Sequence, residues 1–172
     1  MAVQDQQTTK SDSALRAARF TGSFTGKLDA KGRVVIPTEF RAQLSAPEVW
    51  VFPSLTDAVL QLGPQRMVDD LLELVSGNDV YDEDRWLLEE QITGGTLRLS
   101  IDDTGRASLP KEFQLHAELS GAVGFAGRDW HFILAPKSFL DAQREKAAAA
   151  ALRNRDTLKA RQLPSVRGGR KP

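Results

Sequence analysis

The 172-residue sequence contains no cysteine, which excludes disulfide bridges, thiolate metal sites and a cysteine nucleophile. It has no apolar run near the roughly 20 residues that a membrane-spanning helix needs. Its start, MAVQDQQTTKSDS, lacks the apolar core of a signal peptide. Phosphate-binding loops, nucleophile elbows and dinucleotide-binding fingerprints are also missing. We therefore expect a cytoplasmic protein that is not an enzyme and uses no cofactor and no metal.

An excess of charge of either sign is also lacking, because 23 basic residues balance 23 acidic ones. The charges are nevertheless segregated along the chain. Residues 65–90 carry nine acids and two bases, a net charge of −7, whereas residues 153–172 carry seven bases and one acid, a net charge of +6. Segregation of this kind concerns binding partners more than folding.

One stretch of the sequence occurs twice, as LDAKGRVVIP at 28–37 and as IDDTGRASLP at 101–110. The offset between the two copies is the same at every matched position, and it is too long for a solenoid repeat, so it indicates a duplicated unit. The identical pairs are Asp29 and Asp102, Gly32 and Gly105, Arg33 and Arg106, Pro37 and Pro110, Glu39 and Glu112, and Phe40 and Phe113.

Each copy predicts the same order of elements: strand, turn, strand, short helix, strand, strand. Gly32 supplies the positive φ of a tight hairpin turn, and Pro37 stops the second strand and suits the first turn of a helix. A unit of some 45 residues has a small core and needs a partner to bury enough apolar surface. We therefore expect the two copies to pack face to face about a pseudo-twofold axis in an α+β fold.

The remaining segments complete the expected organisation. Amphipathic periodicity predicts connector helices at 65–75 and at about 83–92, and Trp50, Trp86 and Trp130 are expected as core or interface anchors. The predicted division is a disordered arm at 1–18, repeat 1 at 19–64, a helical acidic connector at 65–92, repeat 2 at 93–136, a C-terminal helix at 137–162 and a basic disordered tail at 163–172.

The repeated turn Asp-x-x-Gly-Arg has two interpretations. The aspartate accepts hydrogen bonds from turn amides and the glycine makes the turn. The arginine is then offered on a stiff hairpin, where it suits a phosphate or a guanine in the major groove. The plainer interpretation is that Asp29–Arg33 and Asp102–Arg106 are ion pairs that fix the turns, and both interpretations can hold together.

The paired DAKGR…IP and DDTGR…LP motifs, each followed by Glu-Phe, resemble the MraZ family of tandem AbrB-like swapped-hairpin proteins. The resemblance covers about residues 20–142. It implies a sequence-specific regulator of the bacterial division and cell-wall gene cluster, which acts as a closed homo-oligomeric ring on promoter direct repeats of double-stranded DNA in the nucleoid. It carries DNA binding over to Lys31, Gly32, Arg33, Gly105 and Arg106, and turn fixing to Asp29 and Asp102, with Lys27 as an auxiliary contact.

Three other classes of protein remain as alternatives. An enzyme would have to use His116, His131 or the acids of the connector, which fit surface and packing positions better. A ring-forming assembly protein is favoured slightly by the acidic connector. An AbrB-like antitoxin is disfavoured because such proteins carry one hairpin unit and a toxin-wrapping tail.

The two turns differ in charge. Lys27, Lys31 and Arg33 against Asp29 give the first turn a net charge of +2, whereas Asp102 and Asp103 outnumber Arg106 in the second. We therefore expect the first copy to provide the main DNA contact. We expect Arg106 to be held by its own carboxylates.

Overall fold

The computed structural model describes residues 19–77 and 83–161. These residues form eight strands and six helices. The strands are β1 Ser23–Lys27, β2 Arg33–Val35, β3 Glu48–Pro53, β4 Leu60–Gly63, β5 Leu97–Ser100, β6 Arg106–Ser108, β7 Ala122–Gly127 and β8 Phe132–Pro136. The helices are α1 Thr38–Arg41, α2 Gln65–Ser76, α3 Glu83–Gly95, α4 Lys111–His116, α5 Lys137–Arg153 and α6 Arg155–Ala160.

The strand order confirms a pseudo-twofold α+β fold. A six-stranded antiparallel sheet has the order β1-β7-β8-β4-β3-β5, and a two-stranded sheet pairs β2 with β6. When the strands of the first copy, β1 to β4, are exchanged with their counterparts β5 to β8, the six-stranded order reads the same backwards. The small sheet also maps onto itself. The two copies are therefore related by a twofold operation within one chain.

Most strands of each copy pair with strands of the other copy. We use the term swapped hairpin for this exchange of strands. The first strand β1 runs antiparallel to β7, and β5 runs antiparallel to β3. The second strands β2 and β6 pair with each other. The turn between β1 and β2 is closed by a hydrogen bond from Gly32 N to the oxygen of Asp29, at 3.0 Å. The turn predicted from the sequence is thus present, but the two strands that it joins lie in different sheets.

The short helices begin where the prolines predict. Pro37 and Pro110 have nearly the same backbone conformation, with φ of −51° and −54°, and each is the residue before the helix. A fixed φ near these values is intrinsic to proline and prepares the chain for a helical turn. Helix α1 ends at Arg41, earlier than the TEFRAQL pattern predicts, and the next residues continue as turns.

Both copies contribute to one apolar core. Its side chains come from the inner faces of both sheets and from the short helices, and nearly all of them are buried. Phe40 of α1 is central, since its ring lies 5.6 Å from Phe20, 5.1 Å from Phe24 and 4.6 Å from Phe132. A shared core of this kind agrees with the expectation that one copy has too little apolar surface to fold alone.

The connector helices cover a second, smaller apolar cluster. Met67, Val68 and Val75 of α2 pack with Ile92 of α3 and with Phe52 of β3. Trp50 packs partly against this cluster. Trp86 is 67% exposed and Trp130 is also exposed, so neither is a core anchor of this chain, and their part as interface anchors stays a prediction.

The chain divides into two compact units, with the boundary after Lys137. In the second unit α5 ends at Arg153 and α6 begins at Arg155, with Asn154 between them. Neither helix contains a buried residue. Within the described ranges, no helix is long and apolar enough to cross a membrane. The predicted arm at 1–18 and tail at 163–172 lie outside the described residues, and the domain boundaries stay a prediction.

Candidate nucleic-acid interface

The first repeated turn is held by the carboxylate of Asp29. Its Oδ1 accepts hydrogen bonds from the backbone N–H groups of Lys31 and Arg33, both at 2.9 Å. Its Oδ2 accepts a hydrogen bond from Nε of Arg33 at 2.8 Å, which is also an ion pair. The backbone hydrogen bond from Arg33 is the main cause that holds the pKa of Asp29 below its ordinary value. Asp29 therefore both shapes the turn and aims the guanidinium of Arg33.

Asp102 holds the second turn through backbone hydrogen bonds in the same way, but its side-chain hydrogen bond comes from Thr104 and not from the arginine. Oδ1 of Asp102 accepts hydrogen bonds from the backbone N–H groups of Thr104 and Arg106, both at 2.9 Å. It also accepts one from the hydroxyl of Thr104 at 2.7 Å, and this hydrogen bond is the main cause that lowers the pKa of Asp102.

The side chain of Arg106 forms no ion pair with any of the described residues. The expectation that its own carboxylates hold it is therefore wrong. The two turns also differ in the side chain that bonds the aspartate, which is Thr104 at Oδ1 of Asp102 and Arg33 at Oδ2 of Asp29. Arg33 is thus held in an ion pair, whereas the side chain of Arg106 interacts with Asp102 only electrostatically, beyond ion-pair distance.

The glycines of both turns have the predicted positive φ and are buried under side chains of the opposite copy. Gly32 has φ of 73° and is covered by the side-chain amide of Gln114, and Gly105 has φ of 80° and is covered by the guanidinium of Arg41. A Cβ atom at Gly105 would lie 2.7 Å from Cζ of Arg41. Both glycines therefore shape the turns, and their contact with DNA stays a prediction.

Each covering side chain is anchored within its own copy and lies over the turn of the other copy, an arrangement that we call the clasp. Arg41 donates from Nε to the oxygen of Ile36 at 3.0 Å, and Gln114 donates from Nε2 to the oxygen of Leu109 at 2.8 Å.

Two backbone hydrogen bonds do cross between the copies. Ile36 N donates to the oxygen of Gly105 and Leu109 N donates to the oxygen of Gly32, both at 2.9 Å. Arg41 and Gln114 were not singled out from the sequence, although they also occupy matching positions of the two copies. The repeat does not point to them, because arginine and glutamine differ and each side chain lies over a turn that is distant along the sequence.

The two arginines lie on one face of the small sheet. Arg33 is paired with Ser108, and Arg106 is paired with Val35. Side chains alternate along a strand and opposed residues share a face, so these four side chains lie on the same side of the sheet. Residues on this diagonal are about 7–8 Å apart.

The same face is the one open to solvent. The intervening residues Val34 and Ala107 are 1% and 0% exposed and face the core. Val35, Arg106 and Ser108 are exposed, and Arg33 is half-buried beside Asp29. We call the face formed by Arg33, Val35, Arg106 and Ser108 the ladder face. It brings together the two arginines that the sequence predicts as DNA contacts.

The other predicted cations have definite places. Lys27 at the end of β1 and Lys31 in the first turn are both exposed. Arg98 forms an ion pair with Glu48 at 3.7 Å, so its charge is already offset and does not add to the second turn. Arg41 provides the second turn with a cation from the other copy. Counting Arg41, the second turn is neutral and the first keeps its net charge of +2.

The residues that an enzyme would need lie apart from one another. His116 ends α4, whereas His131 precedes β8 and is buried, and burial lowers the pKa of His131 to about 4. In the connector helices Asp70 pairs with Arg66 and Glu89 pairs with Arg85. Across residues 19–77 and 83–161, no group of three or more histidine, aspartate or glutamate side chains could hold a metal ion.

Two units that exchange strands about a pseudo-twofold axis, each with an Asp-x-x-Gly-Arg turn at the small sheet, define a tandem AbrB-like swapped-hairpin protein. Similarity to curated proteins narrows this class to one family. A protein named transcriptional regulator MraZ from Xanthobacter autotrophicus is 36% identical over 112 residues, which are 63% of this chain and 71% of the relative. Proteins with the same name from Caulobacter vibrioides and Rickettsia bellii are each 30% identical, over 145 and 118 residues.

The Caulobacter match spans 83% of this chain and 93% of the relative, and the Rickettsia match spans 66% and 79%. No family model matches the chain. Identity of this degree over most of both sequences places the chain in the MraZ family.

Proposed function

We propose that this protein is a sequence-specific, DNA-binding transcriptional regulator and not an enzyme. The observation that carries the proposal is the ladder face, where Arg33 and Arg106 from the two copies lie side by side on one exposed surface. The relatives named above are all called transcriptional regulators, which supports the same function.

The physical argument starts from the chemistry of arginine on a stiff pair of strands. The planar guanidinium offers several N–H donors that match phosphate and the guanine edge. Arginine is also the side chain that most often reads guanine, through paired hydrogen bonds to its O6 and N7 atoms. The major groove of DNA admits a two-stranded β-ribbon. The ladder face therefore suits the major groove in both width and charge.

The surrounding cations fit the DNA backbone. Lys27 and Lys31 are exposed on the first copy and suit phosphate contacts, which position the protein without reading sequence. Arg41 places a cation over the second turn, where the sequence has Thr104 in place of a lysine. Since affinity for DNA follows positive charge at the contact surface, the first copy is proposed as the main backbone contact.

Arg33 and Arg106 have different proposed parts. The ion pair with Asp29 fixes the direction of the Arg33 side chain before DNA arrives, which reduces the ordering cost of binding. Arg106 has no such ion pair in the described chain and is free to adapt to the base it meets. Both arginines are thus proposed as base contacts. The side-chain direction of Arg33 is fixed before binding, and that of Arg106 adjusts on binding.

Finer features are proposed from the family resemblance. They are a closed homo-oligomeric ring, promoter direct repeats as the target, the division and cell-wall gene cluster as the regulated genes, and a cytoplasmic, nucleoid-associated location. One ladder face makes few contacts, so several equivalent faces on one ring would raise affinity by effective concentration. Exposed Trp86 and Leu87 on α3 offer apolar surface for such an assembly.

The direct test is a gel-shift titration with the DNA upstream of the protein's own operon, in the presence of unrelated competitor DNA. We expect specific retardation at physiological salt. Retardation that the competitor abolishes, or none at any salt, would contradict a sequence-specific regulator and favour an assembly protein or an enzyme. Light scattering on the same sample should find a closed oligomer, and a monomer at micromolar concentration would contradict the ring alone.

Variants of the first turn separate base reading from backbone binding. Arg33→Ala should weaken binding to the upstream DNA by about 1–3 kcal/mol, the range for a lost bidentate base contact. Lys31→Ala should weaken binding to all sequences and lower the salt dependence of log K by about one unit. If the two variants lost specific and non-specific binding in the same proportion, the division of roles would be wrong.

A further inference from the structure

The ladder face contains one apolar side chain whose exposure the core does not explain. Val35 is 48% exposed and lies directly opposite Arg106 in the small sheet, two residues from Arg33 along its own strand. Single exposed valines are common on protein surfaces and a β-branched residue favours a strand. The position of this one, between two arginines on a surface proposed to enter the major groove, sets it apart.

The second copy has a different side chain at the corresponding place. Ser108 occupies the position in the second copy that Val35 occupies in the first, and it lies opposite Arg33 just as Val35 lies opposite Arg106. Each arginine thus has one neighbour across the ladder, and the two neighbours differ in chemistry: a hydroxyl beside Arg33 and two methyl groups beside Arg106. The pseudo-twofold symmetry of the fold is broken at the centre of the face that would read DNA.

The major groove contains one apolar group that a valine can recognise. Thymine presents its 5-methyl group there, and apolar side chains contact it in sequence-specific complexes. Opposed residues of a ladder have Cβ atoms about 4.5–5.5 Å apart, which exceeds the roughly 3.4 Å rise per base pair by a distance that the long arginine side chain can span. A guanine contacted by Arg106 would therefore bring the adjacent base pair within reach of Val35.

We propose that Val35 is a specificity-determining residue that contacts the 5-methyl group of a thymine next to the guanine read by Arg106. Ser108 makes no such apolar contact beside Arg33. The base pair next to the one read by Arg106 is therefore recognised differently from the base pair next to the one read by Arg33. This asymmetry gives one ladder face a direction along DNA, which is what binding to direct repeats requires. The inference rests on the proposed function and extends it to one base.

The test removes the methyl group from the DNA and the valine from the protein. Thymines of the upstream DNA are replaced one position at a time by uracil, which lacks only the 5-methyl group, and affinity is measured by fluorescence anisotropy. For the wild type we expect one position in each repeat at which uracil weakens binding about fourfold per bound subunit, the factor that corresponds to one buried methyl group. Val35→Ser, which copies the natural residue of the second copy, should bind thymine and uracil equally at that position.

Two further variants control for damage to the sheet. Val35→Thr keeps the β-branched shape and one methyl group, and should retain part of the uracil effect. Ser108→Val adds an apolar side chain at the matching place, and should create sensitivity to uracil at a second position. Thermal unfolding and light scattering of each variant confirm that fold and assembly are intact.

The outcomes separate this inference from the function on which it rests. If the wild type prefers its upstream DNA but Val35→Ser shows the same uracil sensitivity as the wild type, only the role of Val35 is overturned. The same holds if no thymine position is sensitive to uracil. If the wild type does not distinguish its upstream DNA from unrelated DNA, the proposed function fails and the role of Val35 fails with it.

Discussion

The clasp between the copies predicts a specific cost for a methyl group at Gly32. Replacing this glycine with alanine forces a non-glycine residue to keep φ of 73°, which costs about 1–2 kcal/mol. The new Cβ atom would also collide with Nε2 of Gln114. Moving that amide breaks its hydrogen bond to Leu109, worth about 0.5–1.5 kcal/mol. Together these costs mean that Gly32→Ala should lower the free energy of unfolding by about 2–3 kcal/mol.

A matched glycine isolates the contribution of the clasp. Gly121 has φ of 60°, and a Cβ atom there would meet nothing within 4 Å. Gly121→Ala shares the backbone cost and the change in unfolded-chain entropy, so the difference between the two variants reports the clash with Gln114. Urea unfolding at one fixed protein concentration should find Gly32→Ala less stable by about 1 kcal/mol, the contribution of the hydrogen bond.

A double variant gives the refuting result. Gly32→Ala combined with Gln114→Ala removes the colliding amide, so the two substitutions should cost less together than the sum of their separate costs. Equal losses for Gly32→Ala and Gly121→Ala, or strict additivity in the double variant, would show that Gln114 does not clasp the first turn.

Three other predictions concern the core and the carboxylates. Phe40→Leu should destabilise the protein by at least about 1 kcal/mol more than Phe113→Leu in urea unfolding, because three ring contacts surround Phe40 and aromatic pairs contribute about 0.5–1.5 kcal/mol each. Asp29 and Asp102 have lowered pKa values, so their stabilisation is present above pH 3.8 and is lost as the pH falls below it; Asn at both positions should flatten that part of the urea midpoint profile. His131 should titrate near pH 4 by proton NMR, and the urea midpoint should fall as the pH drops from 6.5 towards that value because the buried imidazole is neutral.

Much of the fold could be predicted because each repeat contains glycine and proline residues that mark where its turn and its short helix begin. The glycines at 32 and 105 and the prolines at 37 and 110 predict where each turn and short helix begins, and local backbone preferences decide those features. From the residues alone the copies were expected only to pack face to face, since a strand pattern does not say which strand is its neighbour. The exchange of strands was implied by the family resemblance. That choice is made by the shared core, to which both copies contribute.

The site was predicted less completely, because a local sequence pattern does not specify which residues meet in the folded protein. The repeated motif predicts an aspartate–arginine ion pair in each turn, and the structure has it for Arg33 but not for Arg106. The direction in which a long arginine side chain turns depends on the geometry of the folded turn, which a motif does not contain. Arg41 and Gln114 cover turns of the opposite copy, so no local pattern around those turns contains them.

The most direct test of the account is the affinity of the double variant Arg33→Ala/Arg106→Ala for upstream and for unrelated DNA. The variant Arg144→Ala/Lys146→Ala, at two exposed positions of α5, removes the same charge and serves as the control. If the ladder face reads the bases, the double variant Arg33→Ala/Arg106→Ala should bind both DNAs with nearly equal affinity while its oligomeric state and unfolding temperature match those of the control. A double variant that keeps the full preference for the upstream DNA would contradict the account, because the sequence would then be read by another surface.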